Sequence, residues 1–476
     1  MSTTPGTDGF FDLAEWDHKF LWHPFTQMRE WLDQEPLIIA HGEGNYLIDV
    51  QGRRYLDGVS SLWCNVHGHR KAELDAALRA QLDRIAHTTM LGASNIPAIE
   101  LARRLVAIAP ASLSRVFYSD AGATAVEIAL KLAFQYWQLK GVPERTTFVS
   151  LTESYHGDTL GAVSVGGIDL FHQRFAPLLF PTEKVDAPYC YRCPLGLRYP
   201  ECGIACLDQL ERTLKRRRDK IAGVIVEPLI QAAAGMITAP PGHLTRVREL
   251  TRRYDALLIA DEVATGFGRT GRLFACEHER VTPDLMTVAK GLTGGYLPLA
   301  ATLTTERVYR AFLGPYAAFK TFFHGHSYTG NPLGCAAALA NLDIFDEERT
   351  LGTVQSNINE LQEALRPIGQ LPHVGQIRQC GMMVGIELVK DRADRTPYAP
   401  ARRMGARVCL EARRRRLLLR PLGDVIVLMP PLSTPLPLIR RMVEIVGRSI
   451  ALVTGPREAG RARSGRSVAP RREPKG

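Results

Sequence analysis

Short apolar segments alternate with helical patterns along the middle of this 476-residue chain. The clearest are Gly223–Glu227, Leu257–Ala260 and Leu285–Ala289, each of a length typical of a buried strand. Helical periodicity fills the intervals, as in Leu244–Tyr254. A helix between two strands implies a right-handed crossover, and repeated crossovers build a mainly parallel sheet covered on both faces. The pattern therefore predicts an α/β fold, and the chain length predicts two domains.

The pattern changes after Gly330, where an Ala-rich helix begins near Asn331 and a second helix covers Leu438–Val453. Near the start, Pro36–Asp57 alternates apolar and polar residues and is typical of a β-meander. We expect a larger domain at residues 71–330, a smaller α+β domain at 331–453 with a contribution from 1–70, and a disordered basic tail at 454–476.

Four polar residues follow predicted strands at the point where each strand ends. Glu227, Asp261 and Lys290 close the three apolar segments, and Tyr155 lies just beyond the segment that ends near Leu151. Ligands of parallel sheets bind beyond the carboxyl ends of the strands. We therefore expect these four side chains to meet at one site.

A carboxylate and an amine, each placed where a strand gives way to a loop, are typical of pyridoxal 5'-phosphate chemistry. The lysine bonds to the cofactor aldehyde, and the carboxylate keeps the pyridine nitrogen protonated so that the ring accepts electrons. Taken singly, Asp261 and Lys290 are each more often solvated surface groups. Their shared position at strand ends favours the cofactor site.

A turn of small residues before a helix, Ser119–Thr124, is a candidate for holding the cofactor phosphate. Free N–H groups at a helix start attract an anion, and Gly122 allows close approach of the main chain. The same pattern is also typical of an ordinary helix N-cap. A polar aromatic loop, Thr321–Tyr328, includes Ser327, which either donates to a phosphate or belongs to a domain connection.

Arg420 stands among apolar residues, where a charge is unexpected. A half-buried guanidinium requires a carboxylate. The sequence leaves open whether that carboxylate belongs to a substrate or to an internal Asp or Glu.

The net charge of +10 raises the question of a nucleic-acid partner. Residues Arg457–Gly476 hold six Arg and one Lys against two Glu, about half of the excess. Two further basic runs, Lys215–Arg218 and Arg413–Arg416, fall in helical patterns without the stacking aromatics that a nucleic-acid surface uses. We expect no nucleic-acid partner.

No segment approaches the roughly 18 apolar residues of a membrane span, and the N-terminus lacks the pattern of a signal peptide. We therefore expect a cytoplasmic protein with no membrane partner. In that compartment the nine cysteines should be free thiols. Four of them, Cys190, Cys193, Cys202 and Cys206, have a spacing that suits either a structural zinc knuckle or an ordinary surface loop. We expect no metal in the catalytic site.

Several motifs resemble class III aminotransferases of fold type I: DEVATGFGRTG, the context of Lys290, YHGD, HGHSYTGNPLG and RPLGDVIVLMPP. Others, WHPFTQM, SSLWCNVHGH, FACEHE and AKGLTGGYLPLA, resemble one subfamily more narrowly, the adenosylmethionine- (or lysine-) 8-amino-7-oxononanoate aminotransferases, or 7,8-diaminononanoate synthases, of biotin biosynthesis. The resemblance extends from about Leu21 to Val453. It implies a seven-stranded, mainly parallel sheet and a homodimer with a shared active site.

The resemblance also implies roles for individual residues. Lys290 would bond the cofactor, Asp261 would contact its pyridine nitrogen, and Tyr155 would belong to the substrate and cofactor face. The phosphate would be held by Gly122 and Ala123 and, from the second subunit, by His326 and Ser327. The implied substrate-binding residues are Phe25, Leu62, Trp63, Tyr155, Lys290, Gly325 and Arg420, with Arg420 on the substrate carboxylate.

Several positions depart from the familiar adenosylmethionine-using members, namely Phe25, Leu62, Ala123, His326 and Ser327. Losing a phenol and an indole removes a hydrogen-bond donor and a stacking surface. The chain resembles the variant group to which lysine-donating enzymes belong, so the amino donor is either S-adenosylmethionine or L-lysine. The nearest alternative activity is that of another class III transaminase for ω-amino acids or diamines.

Overall fold

The structure, a computed structural model, describes residues 7–455 of the chain, with side chains from residue 12 onward. Its strands are β1 Ile39–Glu43, β2 Tyr46–Asp49, β3 Arg54–Asp57, β4 Leu113–Ser119, β5 Thr147–Leu151, β6 Glu183–Val185, β7 Ile221–Val226, β8 Ile230–Gln231, β9 Ile237–Thr238, β10 Leu257–Asp261, β11 Leu285–Val288, β12 Ala300–Thr305, β13 Val374–Cys380, β14 Met383–Leu388, β15 Leu417–Leu418, β16 Arg420–Leu422 and β17 Val425–Leu428.

The α-helices are α1 Thr7–Phe20, α2 Met28–Leu32, α3 Ser60–Trp63, α4 Ala72–Leu82, α5 Ile96–Ile108, α6 Gly122–Leu139, α7 Leu160–Val165, α8 Asp169–His172, α9 Leu207–Arg216, α10 His243–Arg253, α11 Glu306–Ala311, α12 Pro332–Glu347, α13 Thr350–Leu365, α14 Met404–Arg414 and α15 Leu436–Thr454.

Seven strands form the central sheet in the order β4-β12-β11-β10-β7-β5-β6. Only β12 runs antiparallel to its neighbours, so the sheet is mainly parallel and the predicted α/β class is confirmed. The sequence analysis did not predict β12. Its segment AATLTT lacks the continuous large apolar residues of β10 and β11, although every residue in it is buried.

Both faces of the central sheet are covered. Along β10, Leu257 and Ile259 join the hydrophobic core built around α6, while Leu258 and Ala260 join the core that contains α5, α9 and α10. Side chains of a strand alternate between the two faces, so a continuous apolar strand requires helices on each side. The charged side chains of β7, β10 and β11 consequently lie at or just beyond the strand ends.

Two four-stranded sheets stand beside the central one, in the orders β1-β2-β3-β15 and β13-β14-β17-β16. The first joins distant parts of the chain, because Leu56 of β3 pairs in parallel with Leu417 of β15. Helix α15 packs against both α13 and α14, and α14 also contacts β16 and β17 of the second sheet. The predicted starts of α12 and α15 lie within two residues of the observed ones, whereas α13 and β13 were not predicted.

Within residues 7–455, no helix is both long enough and apolar enough to cross a membrane. The predicted basic tail lies outside the described residues, apart from its first two positions.

Candidate active site

A cavity of about 800 Å³ opens at the carboxyl ends of the central strands. Tyr155, Glu227, Asp261 and Lys290 all line it, as the strand-end pattern predicts. So do four further residues that the sequence analysis singled out: Leu62, Trp63, Gly122 and Ala123. Chain segments separated by more than 200 positions therefore line the same cavity.

Asp261 is the last residue of β10 and is 4% exposed. Its Oδ2 lies 2.7 Å from Nδ1 of His156, and its Oδ1 accepts from the Thr287 hydroxyl at 3.1 Å and from the Val263 N–H at 3.1 Å. These contacts fix the carboxylate toward the cavity. A carboxylate held in this way can hold a proton on a ring nitrogen of a bound ligand.

Lys290 follows β11 in a left-handed backbone conformation, with φ +48°. Such values are uncommon for a residue other than glycine and cluster at functional sites. Its Nζ lies 5.2 Å from the centre of the Trp63 ring. Burial lowers the pKa of the Lys290 amine, and the charge of Asp261 partly opposes that shift. A lowered pKa makes the neutral, nucleophilic amine more available.

The first turn of α6 faces the same cavity through Gly122 and Ala123. The first N–H groups of a helix have no partner within it, so they are free to bind an anion. Space here is tight: a Cβ on Gly122 would lie 2.6 Å from Cγ1 of Val263, and one on Gly157 (φ +120°) would lie 2.4 Å from Cβ of Ala123. Both glycines are therefore required for the close packing of this turn against its neighbours.

The four-residue segment α3, which contains Leu62 and Trp63, forms another wall of the cavity. Its backbone is looplike, because Ser61 and Leu62 have non-helical angles. Ser60, Ser61 and Trp63 all have positive φ, between 51° and 64°. Asp57 restrains the loop by accepting from the Val59 and Ser61 N–H groups at 3.1 and 2.7 Å. The Trp63 indole is 6% exposed and its Nε1 is buried without a hydrogen-bond partner among the described residues.

Arg420 and Phe25 lie next to this cavity and not among its lining residues. The guanidinium carbon of Arg420 is 5.9 Å from the centre of the Phe25 ring, and Phe25 contacts Phe171, which contacts Tyr155. Burial lowers the pKa of Arg420, and the nearby Tyr155 hydroxyl opposes this. Arg420 forms no ion pair with any side chain described between residues 12 and 455. Within that part of the chain the structure therefore contains no internal carboxylate partner.

Gly325, His326 and Ser327 also lie outside the set of lining residues of this single chain. Nδ1 of His326 is 2.8 Å from Oδ2 of Asp120, which does line the cavity, and the His326 N–H donates to the Thr329 hydroxyl at 2.9 Å. The loop therefore lies close to the start of α6 without entering the cavity from this side.

Two residues of the site were not assigned by sequence reasoning. His156 is 3% exposed and orients Asp261, and Asp158 lines the cavity and accepts from the Tyr155 hydroxyl at 2.7 Å. Both belong to the Ser154–Asp158 segment, in which only the aromatic residue was interpreted. A polar run directly after a buried strand was the available signal.

The four clustered cysteines line a separate small cavity that shares no lining residue with the main one. Among the residues that the structure describes, no group of three or more His, Cys, Asp or Glu side chains is arranged to hold a metal ion. Burial raises the pKa of the Cys206 thiol to about 11, helped by the neighbouring thiols. All nine cysteines are free thiols, in agreement with the prediction.

The donor set of the main cavity fits pyridoxal phosphate. It offers one amine that lacks an ion-pair partner among the described side chains, one oriented carboxylate and one helix N-terminus that a side chain on Gly122 would obstruct. The amine suits the aldehyde of the cofactor, the carboxylate suits its pyridine nitrogen, and the helix N-terminus suits its phosphate.

The sequence profile of the family described as Aminotransferase class-III matches residues 28–450. The adenosylmethionine-8-amino-7-oxononanoate aminotransferase of Geobacter sulfurreducens is 56% identical over 444 residues, 93% of this chain and 98% of the relative. The crystal structure of the protein of that name from Methanocaldococcus jannaschii has a TM-score of 0.89 at 45% identity and covers 93% of this chain and 99% of that chain. The omega transaminase from Pseudomonas jessenii in complex with PMP has a TM-score of 0.89 at 31% identity, over 93% and 98% of the two chains.

Proposed function

The chain belongs to the class-III aminotransferase family, and we propose that it transfers an amino group to 8-amino-7-oxononanoate to give 7,8-diaminononanoate, a step of biotin biosynthesis. The proposed substrate is inferred from the names of relatives that are up to 56% identical across nearly the whole chain. The family implies pyridoxal phosphate as the cofactor. We propose that the cofactor occupies the cavity at the strand ends.

One observation carries the proposal: an amine, an oriented carboxylate and a free helix N-terminus meet in one cavity, and an arginine without a partner lies beside it. The first three groups suit the cofactor, and the arginine suits a substrate carboxylate. A substrate that carries an amine-accepting ketone at one end and a carboxylate at the other would match both.

When bound, pyridoxal phosphate supplies a carbonyl that bonds amines and a ring that accepts an electron pair. Lys290 would hold the cofactor through its Nζ, and the same amine would move a proton during the amino transfer. Asp261, oriented by His156, would hold a proton on the pyridine nitrogen. Gly122 and Ala123 would bind the phosphate through main-chain N–H groups.

Tyr155 lies against the substrate and cofactor face, with its hydroxyl bonded to Asp158. Arg420 pairs with the substrate carboxylate through a bidentate contact. Phe25, Leu62, Trp63 and Gly325 complete the substrate cleft. The loop with His326 and Ser327 contributes to the phosphate site of the second subunit of a homodimer.

The homodimer is proposed from the resemblance to the family. In a dimer the partner subunit would be able to cover exposed apolar side chains such as Leu91, Tyr316 and Phe323, which are 91%, 92% and 75% exposed. We further propose that residues 71–330 form the cofactor-binding domain and that residues 331–453, with the N-terminal strands, form the smaller domain.

The test is turnover by the purified, cofactor-loaded protein. With 8-amino-7-oxononanoate as acceptor, we expect mass spectrometry to detect 7,8-diaminononanoate when S-adenosylmethionine or L-lysine is supplied, and comparison of the two reactions identifies the donor. Turnover of ω-amino acids or diamines with pyruvate, without this product, would instead assign the chain to the omega transaminases.

A further inference from the structure

Glu227 is a buried acid in the cavity wall that has no role in the steps described above. It follows β7, is 8% exposed and lines the cavity. Each of its carboxylate oxygens accepts a main-chain N–H: Oε1 from Tyr155 at 3.0 Å and Oε2 from Ala232 at 3.0 Å. One side chain thus uses both of its oxygens to hold two separate segments.

The two segments are different walls of the cavity. Tyr155 belongs to the loop after β5, and Ala232 and Ala233 belong to the turn after β8, where small side chains leave room for a substrate. The Tyr155 and Glu227 positions are 72 residues apart. No hydrogen bond between main-chain atoms joins the Tyr155 loop to residues 232–233 within the described part of the chain. Glu227 is therefore a direct link between the walls.

The electrostatic surroundings make this link sensitive to protonation. Burial raises the pKa of Glu227 to about 7; the nearby Asp261 adds to the shift, while His156 and the two N–H donors oppose it. Lys290 also faces Glu227 across the cavity. An ionised carboxylate accepts with both oxygens, whereas in the acid form one oxygen becomes a hydroxyl and a poorer acceptor.

We propose that Glu227 is a positioning residue for the reaction. Its ionised carboxylate holds the Tyr155 wall and the Ala232 wall at fixed positions relative to each other, and its protonation weakens the hydrogen bond to one of the two walls. The expected effect on catalysis rests on the proposed transamination. The link between the two walls does not depend on it. The bound geometry of the substrate then depends on the charge of a group that acts through the main chain of Tyr155 and Ala232.

The structural part is tested by amide hydrogen exchange of the substrate-free protein. In Glu227→Gln, the side-chain amide has one acceptor oxygen and one nitrogen that only donates, so only one of the two N–H groups keeps its partner. We expect the amide of Tyr155 or of Ala232 to exchange faster by about tenfold or more, while the amides of β7 are unchanged. Unchanged protection at both amides would overturn the proposal.

The catalytic part is tested by the pH profile. In the wild type we expect kcat/KM to rise through about pH 7 as Glu227 ionises, whereas Glu227→Gln should lose this acidic limb and be about tenfold less active at about pH 8. The matched control is Glu279→Gln, because Glu279 also accepts two main-chain N–H groups, from Gly242 and Thr245 at 2.9 and 2.7 Å, but lies outside the cavity. It should keep the wild-type profile.

The outcomes separate the two claims. A variant whose activity falls equally at every pH would show that Glu227 is only a structural clamp, and an acidic limb that persists unchanged in Glu227→Gln would assign that titration to another group; either result overturns the proposal. A protein that lacks transaminase activity altogether would contradict the proposed function, while the exchange experiment would still test the link.

Discussion

The two edges of the central sheet handle charge in opposite ways. At the amino edge, the buried carboxylate of Asp284 is fully compensated: it accepts from Arg248 at 2.6 Å, from Arg307 at 3.2 Å and from the Leu258 N–H at 2.9 Å. At the carboxyl edge, Lys290 has no ion-pair partner among the described side chains, and Glu227 is bonded only by N–H groups. Arg420 of β16, which belongs to a separate sheet beside the cavity, also has no ion-pair partner among the described side chains.

Burying a charge costs several kcal/mol unless a partner compensates it. Two unpaired cations around one cavity, against paired charges at the opposite edge of the sheet, are a difference that packing alone does not require. It fits the proposal that the partners of Lys290 and Arg420 arrive as ligands, namely the cofactor and a carboxylate substrate. At the amino edge a cavity of about 550 Å³ exists as well, but its charges compensate one another.

The largest effect should follow from removing the amine at the carboxyl edge. Lys290→Ala eliminates both the bond to the cofactor and the group that moves the proton, so we expect kcat to fall by about 10⁴-fold or more. The visible absorbance of the bound cofactor should also change, because it depends on the bond to Lys290. A coloured variant with wild-type kcat would refute the assignment.

The next largest effect concerns the carboxylate at the end of β10. Asp261→Asn keeps the shape of the side chain but cannot hold a proton on the pyridine nitrogen through a negative charge, so we expect about a 10³-fold loss of kcat. Cofactor binding, measured by equilibrium dialysis, should be weakened far less. A variant that loses the cofactor and the rate together would indicate a mainly structural role.

A smaller effect should follow from replacing the unpaired arginine. Arg420→Met removes a charge-assisted pair with a substrate carboxylate worth about 1.5–3 kcal/mol, or roughly 10- to 100-fold in kcat/KM. The loss should appear in KM for the carboxylate substrate. Substrates without a carboxylate provide the control, since their kcat/KM should change little; an equal loss for both would contradict the carboxylate contact.

The smallest effect on activity should come from the amino edge. Asp284→Asn leaves Arg248 half-buried without its counter-charge, so we expect the free energy of unfolding in urea to fall by about 3 kcal/mol. Because the site lies at the far edge of the sheet, kcat/KM at moderate temperature should stay within about twofold of the wild type. A large loss of activity in a folded variant would contradict the inference that the amino edge contributes to stability and not to catalysis.

The sequence predicted local features of the fold better than long-range ones. Apolar runs located β7, β10 and β11, and the strand-end argument brought Tyr155, Glu227, Asp261 and Lys290 to one cavity. The position of β12 in the sheet was not predictable, because its small residues carry no strong periodic signal and its antiparallel direction depends on the path of the chain.

The sequence also did not predict which side chains contact one another across the fold. Nothing in the residue order indicates that His156 orients Asp261 across 105 positions, or that the two oxygens of Glu227 divide between Tyr155 and Ala232. For Arg420 the sequence left a substrate and an internal carboxylate equally open, and the structure shows no internal partner among the described side chains. These are contacts between segments, and their specificity comes from packing.

The pairing of β3 with β15 has a consequence for how the chain acquires its cavity during synthesis. The N–H of Gly58 donates to Leu418 at 3.0 Å, and Gly58 in turn accepts from Met429 at 2.8 Å, so the segment that leads into the Leu62–Trp63 wall is fixed by residues about 360 positions later. Contacts this distant form late in folding, because the entropy of closing a long loop must be offset first. A nascent chain released before about residue 430 would contain Leu62, Trp63, Asp261 and Lys290 but would lack the later contacts that fix the Leu62–Trp63 wall.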